Sequence, residues 1–136
     1  MKKYYGFIPY LNFFTDLFFL FAHNIQVMKT HEIEFIFEES HKKPTIIKAV
    51  EGESILEAAL DAGIHIQHNC GGVCACTTCH VYIEEGMKNL SEMSEKEEDR
   101  VDLADNVKLE SRLACQCLVY GKVKVLVPDQ SGYLGH

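Results

Sequence analysis

The sequence predicts an α+β fold, a mixed sheet wrapped on one main helix, and three observations carry that prediction. His31–Glu38 and Val123–Val127 alternate apolar and polar residues with the period of half-buried strands. The stretch opening at Ser54 has helical spacing, with start and stop signals at its ends. Between the helix and the later strands, Gln67–Cys79 has no periodicity and carries Gly71-Gly72, as a long loop would.

Taken in order, Ile33, Phe35 and Phe37 share one face of the first strand. Ser40–Pro44 is a polar turn and Thr45–Val50 a second β-rich run, so the pair reads as a hairpin. Glu51-Gly52 turns the chain. Ser54 then opens the helix, and Glu57 completes a capping box. Ile55, Leu56, Ala59 and Leu60 supply the apolar stripe, and Gly63 is the expected stop. Ile64–Ile66 is short and apolar, and Val81–Ile83 reads as a brief strand. A second capping box, Ser94 with Glu97, starts a helix running to about Ala104. Leu113, Leu118, Val123, Val125 and Val127 form closing strands around a turn at Tyr120-Gly121. Pro128, lacking an N–H, ends the ladder.

The chain has 136 residues, 13 of them basic and 20 acidic, for a formal charge of −7. That excess disfavours nucleic acid, whose phosphates need a cationic footprint, and suits partners with a basic patch. Residues 1–27 differ in kind, holding six of the eight phenylalanines and three of the six tyrosines. Their longest apolar run, Leu17–Ala22, is six residues; a spanning helix needs roughly 20. Asn12 and Asp16 interrupt the greasy stretch, so no membrane span is expected. Phe14, Phe18 and Phe21 share helical spacing. The segment is an aromatic-rich extension, either a surface helix, a disordered tail or an over-extended reading frame with Met28 as the start. Residues 28–136 are the expected domain, with no internal repeat or linker. A monomer is expected.

All six cysteines fall between Cys70 and Cys117. Secreted disulfide frameworks spread their cysteines, and no signal peptide is evident, so a reducing cytoplasmic compartment is expected. The central feature is Cys70-Gly-Gly-Val-Cys74-Ala-Cys76-Thr-Thr-Cys79-His80, with Cys115-Gln-Cys117 much later. Two irons with bridging sulfides ask for four converging thiolates. Cys76 and Cys79 come naturally within reach of one metal unit, and Gly71-Gly72 lets Cys70 fold over it. Backbone N–H groups of such a loop can approach the sulfurs and stabilise added charge. A zinc-stabilised interaction module competes, although it usually shows two Cys-x-x-Cys pairs or one with a His pair. A redox dithiol at Cys76 and Cys79 leaves four cysteines unexplained. Spacing does not choose between Cys115 and Cys117, which on a strand would face the same way.

At these residues the sequence resembles the adrenodoxin-type [2Fe–2S] ferredoxins, particularly the bacterial branch linked to iron–sulfur cluster assembly. The match spans roughly Glu32 to Pro128, through the x5 and x2 cysteine spacings, Cys76-Thr-Thr-Cys79-His80-Val81 and Glu110-Ser-Arg-Leu-Ala-Cys115-Gln. Plant-type ferredoxins use x4 where this chain has x5. The resemblance implies a β-grasp, ubiquitin-like fold with a cluster-binding loop, and Cys70, Cys76, Cys79 and Cys115 as ligands of one [2Fe–2S] cluster. Cys74 and Cys117 take no ligand role in that pattern. His80 resembles a histidine bracing the loop against the C-terminal part, and Pro128 a structural proline. Asp99 and Asp102 match partner-contacting acids, and with Glu95 and Glu98 they follow helical spacing on one face; Lys96 and Arg100 interrupt the patch. The implied function is one-electron carriage, without catalysis, from a flavoprotein reductase to the cluster-assembly machinery. A cytochrome P450 is the alternative acceptor, and a cluster scaffold or sensor a further reading.

Overall fold

The computed structural model describes residues 28–68 and 77–131; the aromatic extension and residues 69–76, with Cys70, Cys74 and Cys76, lie outside them. Alternation makes the strands. β1 (Thr30–Phe37) pairs antiparallel with β2 (Thr45–Val50), with Ile33 opposite Ile47. β3 (His80–Glu85), β4 (Ser111–Leu113) and β5 (Val123–Val127) complete a five-stranded sheet in the order β2-β1-β5-β3-β4. β5 runs parallel to β1 and antiparallel to β3, and β4 closes the far edge antiparallel to β3. The inward faces supply the core: Ile33, Phe35, Val81, Ile83, Val123 and Val125 are buried.

Helix α1 (Ile55–Asp61) buries Ile55, Leu56, Ala58 and Ala59 in that core. Its capping box is complete: Glu57 N–H donates to Ser54 Oγ (3.1 Å), and Ser54 N–H to Glu57 Oε2 (3.2 Å). Leu60 departs from the expected stripe and is 39% exposed, because the buried arc centres between Ile55 and Ala59 and leaves Leu60 at its rim.

The second cap is only half a box. In α2 (Glu95–Val101), Glu97 N–H donates to Ser94 Oγ (3.1 Å) as expected. The Glu97 side chain, however, turns away from the cap to Arg112, a stronger charged partner. The helix stops at Val101, short of Ala104, where Leu103 and Ala104 donate back to Arg100 and Val101 in a tighter turn. Ile64–Ile66 forms no strand, although Ile66 is fully buried. Among the described residues, no helix is long and apolar enough to cross a membrane.

After a register irregularity near Ile83 and Glu85, the chain turns at Gly86 (φ 87°) into a short 3-10 turn, Met87–Asn89. A Cβ at Gly86 would fall on the Lys122 carbonyl oxygen and press on Val123. Gly86→Ala is therefore expected to cost about 1–3 kcal/mol, from positive φ and backbone overlap together, read as a lowered urea midpoint.

At the opposite edge, beside β2, His31 Nε2 lies 2.7 Å from Glu51 Oε2 and Lys29 Nζ 3.5 Å from the same oxygen. The His31 hydrogen bond, helped by Lys29, holds the Glu51 carboxyl below its ordinary value. A lowered carboxylate pKa adds stability that is present above the unfolded value and lost as pH falls through the folded one. Wild type should thus exceed Glu51→Gln in urea midpoint at pH 7, and the difference should shrink as pH falls through the lowered range of the folded-state carboxyl.

Candidate metal centre

The β3–β4 pairing delivers two of the expected ligands to one place. His80 stands opposite Leu113, and one step further out Ala114 N–H donates to the Cys79 carbonyl (2.9 Å). Cys79 immediately precedes β3, and Cys115 follows β4 in a turn closed by Gln116 N–H to the Leu113 carbonyl (2.9 Å). Their Sγ atoms consequently lie 3.4 Å apart. Two thiolates about 2.3 Å from one tetrahedral ion would stand about 3.8 Å apart, so this pair fits one iron with little adjustment. Gln116 Nε2 donates to Cys115 Sγ at 3.4 Å, an amide donor of the kind that stabilises charge on a ligating sulfur. Sequence reasoning looked for such donors in the loop backbone and passed over this side chain.

Cys115 and Cys117 do not face the same way, as they would have on a strand, because the chain between them is a turn. Cys117 is fully buried, and its Sγ donates to the Leu113 carbonyl (3.3 Å), the carbonyl at the start of that turn. Burial pushes its thiol pKa far up, and its hydrogen bond goes to that carbonyl and not to the Cys79–Cys115 pair. Cys70 and Cys76 lie outside the described residues, as does Cys74. Among the described residues, no group of three or more His, Cys, Asp or Glu could hold a metal.

His80 is buried beside Cys79, its Nε2 sharing a 2.8 Å hydrogen bond with Ser111 Oγ and its ring packed edge-on to Tyr82 at 4.8 Å. It braces β3 against β4, and burial lowers its pKa. The expected brace to the C-terminal part is made by another residue: Gln130 Nε2 donates to the Thr78 carbonyl (3.0 Å). A lone glutamine two residues after Pro128 gave no signal for this in the sequence.

Glu95, Glu98 and Asp99 lie exposed on α2, with Asp102 exposed at its end and Lys96 and Arg100 among them. Glu97, on the inward side, is 1% exposed and Arg112 2%. Arg112 Nε and Nη2 donate to the two Glu97 oxygens at 2.7 and 3.0 Å, and Leu113 N–H donates to Oε1 at 3.1 Å. Burial is the largest influence and would by itself lower the Arg112 pKa, but the Glu97 hydrogen bonds and the neighbouring negative charge together outweigh it and leave the guanidinium above its ordinary value. This fork ties α2 to the strand that leads into Cys115.

A mixed sheet that sets two cysteine sulfurs 3.4 Å apart, in a chain with further cysteines at 70, 74 and 76, has the donor set of a thiolate metal protein. The family described as 2Fe-2S iron-sulfur cluster binding domain matches residues 38–120. The 2Fe-2S ferredoxin of Haemophilus influenzae is 49% identical over 74 residues, 54% of this chain and 66% of that protein, so the match spans about two thirds of the relative. The crystal structure of the ISC-like [2Fe-2S] ferredoxin (FdxB) from Pseudomonas putida is similar with a TM-score of 0.67 and 35% identity, over 72% of this chain and 92% of that one. A chain of the covalent putidaredoxin reductase–putidaredoxin complex gives 0.62 and 27% identity, over 72% and 98%. The chain belongs to the 2Fe-2S iron–sulfur cluster binding family, as an adrenodoxin-type ferredoxin with the β-grasp fold, and its cofactor is a [2Fe–2S] cluster. Ferredoxins are electron carriers. The zinc and dithiol readings give way to that cofactor.

Proposed function

We propose that this ferredoxin carries single electrons from a flavoprotein reductase to the iron–sulfur cluster-assembly machinery, and that Cys70, Cys76, Cys79 and Cys115 hold its cluster. The carrying observation is the 3.4 Å approach of the Cys79 and Cys115 sulfurs. When bound, the cluster accepts and returns one electron. The chain's own residues do the rest. Burial of Cys79 keeps water from one side of the centre. The Gln116 amide offers positive potential to Cys115, and His80 and the Glu97–Arg112 fork fix the two strands that present the sulfurs.

Similarity to a chain of the covalent reductase complex favours a flavoprotein reductase as donor. Similarity to the ISC-like protein favours the assembly machinery as acceptor over a cytochrome P450. Glu95, Glu98, Asp99 and Asp102 form the docking face. Beside them Met93, Val101, Val107 and Leu109 line an open groove, with Leu109 98% exposed. The functional unit is residues 28–136, working in the bacterial cytoplasm as a monomer.

Reversing Asp99 and Asp102 together to lysine should slow reduction by a flavoprotein reductase about tenfold at low ionic strength. The deficit should shrink as salt rises, since exposed charges are screened over about 8–10 Å at physiological salt. A variant reduced at the wild-type rate at every ionic strength would remove α2 from docking. Electron supply to a reconstituted cysteine desulfurase and scaffold, set against supply to a P450, tests the acceptor; turnover of the P450 alone would overturn the assembly role.

A further inference from the structure

We propose that Gln130 is a positioning residue that clamps both ends of the cysteine loop; this rests on the ligand reading above. Its carboxamide uses both polar atoms on opposite sides of residues 69–76. Oε1 accepts from Gln67 N–H (2.9 Å), before the loop, and Nε2 donates to the Thr78 carbonyl (3.0 Å), after it. The side of the loop that carries Cys70 and the side that ends at Cys79 are thereby held to one planar group. Gln130 is 7% exposed, so water competes weakly for either bond.

The clamp is itself anchored. Pro128 ends the β5 ladder, and the next N–H, that of Asp129, donates to Glu38 Oε2 (2.9 Å) at the end of β1. Glu38 N–H donates to the Val127 carbonyl (3.0 Å). Ser131 N–H then folds back onto Asp129 Oδ1 (2.9 Å). Residues 127–131 are thus fixed to the β1–β5 pair at the sheet's centre, and Gln130 extends that rigid frame to the loop. Pre-organisation of this kind keeps ligands from leaving one at a time, because a released thiolate remains close to the site.

Gln130→Met removes both hydrogen bonds and keeps the side chain's length. In the cluster-loaded full-length protein it should speed chelator-driven loss of the visible spectrum about tenfold, as two ordinary hydrogen bonds allow. It should also alter the visible circular dichroism of the cluster and raise amide exchange at Gln67. Ser54→Ala, which removes a distant helix cap, supplies a control for general destabilisation. Release from Gln130→Met at the wild-type rate, or equal acceleration by Ser54→Ala, would overturn the proposal. The ligand reading is tested separately by Cys79→Ser: a variant that keeps the native spectrum defeats that reading whatever Gln130→Met does.

Discussion

Cys115→Ser should yield a folded protein without the wild-type visible spectrum, whereas Cys117→Ser should keep it. The two cysteines are one residue apart from being neighbours, yet their surroundings are opposite. Cys115 Sγ faces Cys79 Sγ at 3.4 Å and receives the Gln116 amide. Cys117 Sγ is sealed in the core with its hydrogen on the Leu113 carbonyl. A serine hydroxyl at 117 can make that same bond, so folding should survive with little loss. At 115 an alkoxide-forming oxygen replaces a soft thiolate that iron–sulfur chemistry prefers. Iron and inorganic sulfide analysis of both variants, prepared anaerobically, checks the expectation. Loss of the cluster in the Cys117 variant alone would reverse the assignment.

The second large effect belongs to Glu97. Truncating it to alanine leaves the Arg112 guanidinium buried without its carboxylate and the Leu113 N–H without its acceptor. Breaking a buried pair from one side costs about 3–5 kcal/mol. For a domain of about 100 residues that lowers Tm by more than about 10 °C. Replacing both partners by methionine should recover much of the loss, since no charge is then stranded. Chemical denaturation of Glu97→Ala, Arg112→Met and the Glu97→Met/Arg112→Met pair measures it. A Glu97→Ala midpoint equal to wild type would show that the fork contributes nothing net. The same single variant should blunt salt-sensitive reduction by the reductase, because α2 would lose its tie to β4.

Much of this was legible in the sequence. Alternation at Ile33, Phe35, Val123 and Val125 marked the two central strands, because a sheet with one face buried enforces a period of two. Ser54 with Glu57 marked the start of α1, since a cap is a local arrangement that four residues make by themselves. Ser94 with Glu97 carried the same local signature and was only half fulfilled. Glu97 found Arg112, 15 residues later in the chain, and no local pattern can weigh a distant guanidinium against a nearby N–H. The length of α2, the exposure of Leu60 and the turn between Cys115 and Cys117 depend in the same way on what packs nearby.

The sequence by itself narrowed the chemistry: cysteine number and spacing pointed to a thiolate metal or redox centre, since ligand type and loop length limit which metal unit can be held, and the resemblance carried by the neighbouring residues implied a [2Fe–2S] carrier. Tertiary structure decided which sulfur meets which. The β3–β4 register set Cys115 against Cys79, the turn sent Cys117 into the core, and the segment after Pro128 brought Gln130 to the loop. Those outcomes follow from strand pairing and burial between residues far apart in the chain, which spacing along the chain does not encode.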